Sequence, residues 1–126
     1  MSYQTDRNRV RGLGTAHEGA SHWWQQRLTS VALVPLSLLF LFLFARALGQ
    51  GHQAVLALYG HLGHALVAVL FLAVGFRHLA QGLQVVIEDY VHRPGLRTTL
   101  LALNTLACGL FAVAGIFAIA KIAFLG

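Results

Sequence analysis

The sequence predicts an all-α integral membrane protein with three transmembrane helices. Three observations carry that prediction. Of the 126 residues 57% are hydrophobic and only 10% charged, so nine Lys/Arg and four Asp/Glu cannot coat a soluble domain of this length. The apolar residues gather in long uninterrupted runs rather than in short alternating ones. The charged residues collect at the ends of those runs, where water can solvate them, with Arg77 the exception.

Residues 1–27 are polar and basic and read as a cytoplasmic segment ahead of a membrane domain over 28–126. No small-residue cleavage pattern follows the first apolar run, and the segment already carries Asp6 and Glu18, so neither a signal peptide nor a transit peptide is expected. The first span, about 29–46, contains "TSVALVPLSLLFLFLFA" and has no charge between Arg27 and Arg46. At roughly 1.5 Å per residue that is near the minimum for crossing a bilayer. Pro35 lies one turn in and is expected to bend the helix, which membrane helices tolerate.

A second helical stretch extends from Ala54 to Asp89. As one helix it would be roughly 50 Å long, against a hydrocarbon core of about 30 Å. The span is therefore placed at about 64–88, with the piece bearing Gly60 and Gly63 at or beyond the interface. The "HRPG" past Asp89 is a stop, because Pro94 cannot continue the ladder and Gly95 permits a turn. The third span, about 98–120, is interrupted only mildly, by Asn104, Thr105 and Cys108.

Three crossings leave the two ends on opposite sides. Arg7, Arg9, Arg11, Arg27, Arg93 and Arg97 fall on one side, Arg46 and Lys121 on the other. The positive-inside rule then places the N-terminus in the cytoplasm and the C-terminus in the periplasm of a bacterial inner membrane, with the mitochondrial inner membrane as the alternative. The net charge of +5 is spread beside apolar runs rather than drawn into a patch, so it reads as topology, with lipid and not nucleic acid as its partner. A single cysteine, Cys108, rules out an intrachain disulfide and a thiolate cluster and reads as packing. There is no GxxxxGK loop and no triad spacing. Small residues recur in the spans at Gly75, Gly82, Ala107, Gly109, Ala112, Ala114 and Gly115, which suits close approach by other helices or by a flat cofactor.

The stretch "RHLAQGLQVVIEDYVHRPG", residues 77–95, is costly in hydrocarbon and asks for a reason. At 100° per residue, His78 and Asp89 share a helical stripe, about 16 Å apart along the axis. Gly82, one turn after His78, removes bulk on nearly the same face. His78 itself lies roughly 14 Å inside the boundary set by Ile87, near mid-membrane. An imidazole beside a clearing suits an axial haem ligand, and it equally suits a hydrogen-bonded helix–helix contact. Glu88 and Asp89 oppose the macrodipole at a helix C-terminus, so helix stability does not explain them. Tyr90 reads either as an interfacial anchor or as part of a site.

The pattern H-x10-DY closing a second span, followed by a basic, Pro-containing loop and a third helix, resembles the small cytochrome b membrane anchors of succinate dehydrogenase, the respiratory complex II. The likeness is sharpest over "HLAQGLQVVIEDYVHRPGLR", and "QRLTSVAL" is similar to that family's arginine before the first span. The resemblance implies a haem b with His78 as one axial iron ligand and the other supplied by a companion cytochrome b556 anchor subunit, the two subunits together forming a haem-binding bundle. It implies that Tyr90 hydrogen-bonds a ubiquinone carbonyl with Asp89 beside it, and that Arg27 lies near the haem propionates. It further implies iron–sulfur and flavoprotein subunits docked on the cytoplasmic face, so that this chain belongs to an enzyme, passing electrons to quinone, without binding succinate itself.

A tyrosine hydroxyl suits donation to a quinone oxygen, and an interfacial acid suits proton relay. Arg77 would offset propionate charge or pair with a partner helix. His64, fourteen residues before His78 and about 40° away, also admits a second haem, although the DY pattern resembles the one-haem class. His61 reads as interfacial, and His17, His22 and His52 as solvated or interfacial, with His22 also within reach of a propionate. Trp23 and Trp24 read as belt residues that also suit a quinone entrance or a subunit contact. His92 and Arg93 either tune proton supply near Asp89 or hold lipid phosphates. Two other readings stand beside this one: a haem-bearing anchor of a different respiratory dehydrogenase, and a purely structural membrane subunit.

Overall fold

Four helices form along residues 16–125, the part of the chain that the structure, a computed structural model, describes; side chains are described from residue 19 onward. Arg7, Arg9 and Arg11 of the charge argument, and the side chain of His17, lie outside the described residues. No strand occurs among the described residues, and three of the helices are long and apolar enough to cross a membrane. The all-α, three-span expectation holds.

Helix α1, Ala16–Ala47, starts well before Thr29 and passes residue 27 without a break. Polarity marks where lipid ends, not where a helix ends: once the span has nucleated, each added polar residue gains a backbone bond at little further cost. The helix is also continuous through Pro35, with the Ser37 hydroxyl bonding back to the Leu33 carbonyl in the adjoining turn. It ends at Ala47, and the turn to the next helix passes through Gly49 and Gly51, whose φ values are 77° and 83°. Residues with a side chain would pay about 1–2 kcal/mol there.

Helix α2, His52–Tyr59, is short and buries Tyr59, whose phenol is pushed above its usual pKa by that burial. A break at Gly60 and His61 separates it from the next helix. Helix α3, Leu62–Tyr90, then runs 29 residues, about 43 Å. The Val91 N–H closes α3 on the Ile87 carbonyl at 2.9 Å, and helix α4, Pro94–Leu125, begins almost at once. Pro94 therefore opens α4 rather than lying in the loop: at the first helical position its missing N–H has no partner to lose and its fixed φ is already helical. The Arg97 N–H bonds to the Arg93 carbonyl at 2.9 Å to start the ladder.

Helix α3 is the middle of a row, packed on α1 along one side and on α4 along the other, while α1 and α4 do not meet. Helix α2 folds over one end and touches all three. Phe40 stacks on Phe71 at 4.3 Å and Phe76 on Phe111 at 6.4 Å, one pair at each interface. Of the small residues, Gly75 faces Leu33, Gly82 faces Gln26, and Gly115 sits closest, where an added Cβ would come within 3.0 Å of Leu72 Cδ1. Gly109 has open space around it. Cys108 is buried and its thiol leans on Asn104 Oδ1 at 3.5 Å, a packing role.

A row of three helices has two open faces. Large apolar side chains such as Phe42, Leu66, Leu106 and Phe117 are therefore exposed on the single chain and must meet lipid or another subunit. The antiparallel row carries Arg27, Arg93 and Arg97 at one end and Arg46 and Lys121 at the other.

Candidate functional site

The α1–α3 interface changes character toward the Arg27 end. Where hydrocarbon packing stops, Gln25, Gln26 and Thr29 of α1 oppose Arg77, His78 and Gln81 of α3. Each triplet has the spacing i, i+1, i+4, so each presents neighbouring polar groups on one face of its helix. Gly82 of α3 faces this layer, where an added Cβ would lie in ordinary contact with Gln26 Nε2 at 3.9 Å.

His78 Nδ1 lies 3.0 Å from Thr29 Oγ1. Arg77 Nη2 donates to Gln25 Oε1 at 2.9 Å, and Gln81 Nε2 donates to the same oxygen at 3.3 Å. Arg77 thus finds a neutral amide, not a carboxylate, and its charge is not cancelled by that contact. Gln81 is 2% exposed, and its Oε1 has no hydrogen-bond partner; the same holds for buried Gln26 Oε1 and for buried His22 Nε2, one turn before Gln26. Three unpaired polar atoms in one short stretch of interface are unusual, because burying each without a partner costs about 1–3 kcal/mol. From the other side, Asn104 Nδ2 of α4 donates to the Ala80 carbonyl at 2.8 Å and ties α4 to the same part of α3.

The helix-end residues stand differently. Glu88 accepts from Gln84 at 3.0 Å, while Asp89 and Tyr90 are exposed, Tyr90 to 80%. Asp89 keeps the His78 stripe, but Tyr90, twelve residues on, is turned by about 120° and lies about 18 Å along the axis. Arg27 is two residues from Thr29 and so points roughly opposite to it. Its guanidinium lies 5.0 Å over the Trp23 ring on the exposed side of α1, and Trp23 stacks with Trp24 at 6.1 Å. Within this chain, then, His78 is brought together with Thr29 and the glutamine layer, and not with Arg27 or Tyr90.

At the far end, His64 Nδ1 meets the Leu58 carbonyl of α2 at 3.0 Å, with the His61 ring 5.2 Å away. His64 and Arg46 line a shallow groove of about 310 Å³ there.

Among the described residues no three His, Cys, Asp or Glu side chains converge, so none of them forms a cage for a free metal ion. A macrocycle that brings four nitrogens of its own needs only an axial imidazole from the protein. His78 fits that need: one ring nitrogen is engaged by Thr29 and the other is not.

Sequence reasoning missed Thr29, Gln25, Gln26 and Gln81. The repeated i, i+1, i+4 spacing of "QQ..T" and "RH..Q" is the signal that points to them.

The family model for succinate dehydrogenase/fumarate reductase transmembrane subunits matches residues 1–118. The succinate dehydrogenase hydrophobic membrane anchor subunit of Paracoccus denitrificans is 35% identical over 121 residues, which cover 96% of this chain and 93% of that one. The protein of the same description from Rickettsia typhi is 29% identical over 105 residues, covering 83% and 84%. The succinate dehydrogenase membrane anchor subunit of Reclinomonas americana is 32% identical over 77 residues, 59% and 64% of the two chains. No solved structure matches the chain at a significant level.

Proposed function

This chain belongs to the succinate dehydrogenase/fumarate reductase transmembrane subunit family, and from that premise we propose that it anchors a succinate:ubiquinone oxidoreductase in the membrane, would hold a haem b through His78, and forms part of the quinone-reducing site. The chain binds no succinate in this reading. Flavoprotein and iron–sulfur subunits deliver electrons from the cytoplasmic side, and the companion cytochrome b556 anchor covers the open faces of the helix row and brings the second haem ligand. The membrane is a bacterial inner membrane, in keeping with the Paracoccus and Rickettsia relatives. Residues 1–27 lie toward the cytoplasm and the C-terminus toward the periplasm, in keeping with the arginines gathered at one end of the row.

The observation that carries the reading is that Asp89 and Tyr90 stand exposed at the end of α3 shared with Arg93 and Arg97, while His78 lies deeper on the same helix. A quinone ring arriving from the hydrocarbon meets that end at the water boundary, where protons are available. Reduction to the quinol takes two electrons and two protons. The Tyr90 hydroxyl donates to a quinone carbonyl oxygen as negative charge develops there, and Asp89 passes protons from water toward it. Haem b, when bound, supplies a one-electron carrier beside this route. His78 would hold its iron by the imidazole, and Arg77, whose partner Gln25 is neutral, would place positive charge toward its propionates; Arg27, on the other side of α1 over Trp23, does not face His78. The unpaired atoms of Gln26, Gln81 and His22 support the same picture, since polar groups from outside this chain, or water, must complete that layer.

The test is purification through a tag on this chain. A flavoprotein and an iron–sulfur protein should accompany it, with succinate-driven ubiquinone reduction; a complex of another composition that does not oxidise succinate would refute the assignment.

A further inference from the structure

We propose that Thr29 is the positioning residue for His78: its hydroxyl accepts a hydrogen bond from the imidazole Nδ1–H and so fixes the tautomer whose Nε2 lone pair binds the haem iron. The inference deepens the haem reading and rests on it.

The direction of the hydrogen bond follows from counting protons. Thr29 Oγ1 lies 3.0 Å from His78 Nδ1, 3.0 Å from the Gln25 carbonyl oxygen and 3.0 Å from the Gln26 carbonyl oxygen. A threonine hydroxyl has one proton to give and two lone pairs with which to accept. The carbonyl oxygens only accept. Turned toward the imidazole, the proton would leave the hydroxyl lone pairs facing two carbonyl oxygens with no hydrogen between them. Turned back into the helix, it is shared by the two carbonyls, and a lone pair is left for a donor on His78. Nδ1 must then carry the ring proton, and Nε2, across the ring, is left with its lone pair.

The neighbours hold this geometry in place. The Thr29 hydroxyl is held against α1 by its contacts with the Gln25 and Gln26 carbonyls. The register of α1 against α3 is pinned on the same layer by the Gln25 contacts with Arg77 and Gln81. A hydrogen bond from the non-ligating N–H of a ligand histidine raises the basicity of the ligating nitrogen and fixes the plane of the ring. The more basic ligand stabilises ferric over ferrous iron. Removing the acceptor should therefore raise the haem midpoint potential.

Thr29→Val keeps the shape of the side chain and removes the acceptor; Thr29→Ser restores a hydroxyl. Both are compared with the native assembled complex by redox titration of the haem absorbance and by low-temperature EPR of the ferric form. The expected result is a positive shift of midpoint potential with altered g values in Thr29→Val, and values close to native in Thr29→Ser. Loss of haem from Thr29→Val but not from Thr29→Ser, at equal subunit stoichiometry, is the stronger form of the same result. Native potential and g values in Thr29→Val, or equal departures in both variants, overturn the proposal. His78→Leu separates this failure from that of the haem reading: an unaltered haem spectrum in His78→Leu defeats the reading itself, whereas haem lost there and unaffected in Thr29→Val defeats only the role of Thr29.

Discussion

Thr29 Oγ1 and His78 Nδ1 meet at 3.0 Å although 49 positions separate them in the chain. Their contact joins α1 to α3 and belongs to a polar layer in an otherwise apolar interface. Lipid offers polar atoms no alternative partner, so such a layer fixes helix register more firmly than it would in water.

Arg77 belongs to that layer through the neutral oxygen of Gln25. Its charge therefore acts on whatever lies beside the interface. Arg77→Leu is expected to lower the haem midpoint potential, because loss of a nearby positive charge favours the ferric form. Redox titration checks this; an unchanged haem content and potential would remove Arg77 from the haem account.

Tyr90, the last residue of α3, has no structural duty within the chain that would explain its exposed phenol. Tyr90→Phe should lower succinate-driven ubiquinone reduction by roughly 10²-fold, the usual effect of removing one donor to a developing oxyanion. Reduction of an artificial dye by the soluble subunits should persist. Equal loss of both activities would show that the substitution acts on assembly instead.

Gly115 of α4 packs directly against α3, with Leu72 Cδ1 3.0 Å from the place a Cβ would take. Gly115→Ala asks only that the tip of Leu72 shift. Gly115→Leu overpacks the interface and should cost about 1–3 kcal/mol, read as earlier thermal unfolding of the detergent-solubilised complex. Equal melting of the native, Ala and Leu forms would mean that the two helices do not depend on this contact.

Orientation is open to labelling. In a Cys108→Ser background, Arg93→Cys should react with a membrane-impermeant maleimide only after the cytoplasmic side is exposed, and Lys121→Cys in intact spheroplasts. The reverse pattern would invert the topology.

Span number and the break near Gly60 are legible in the sequence because both follow from hydrophobic length set against bilayer thickness. The start of α1 at Ala16 is not, since polarity reports the lipid boundary and a helix continues past it. Pro94 reads as part of a loop because the same residue that stops one helix also suits the first turn of the next. For the site, the stripe shared by His78 and Asp89 follows from periodicity within one helix. The partnership of His78 with Thr29 does not, because it depends on the register between two helices, and Thr29 stands out in the sequence only as the first residue of a span. The separation of Arg27 from His78 is equally hidden: it appears only once Thr29 is known to face α3.

The most direct test is the succinate-reduced minus oxidised visible spectrum of the complex purified through this chain, native against His78→Leu. The account predicts a low-spin b-type haem in the native complex that is lost or converted to a high-spin form when the imidazole is removed. An identical spectrum from both, or no haem in an active native complex, would contradict it.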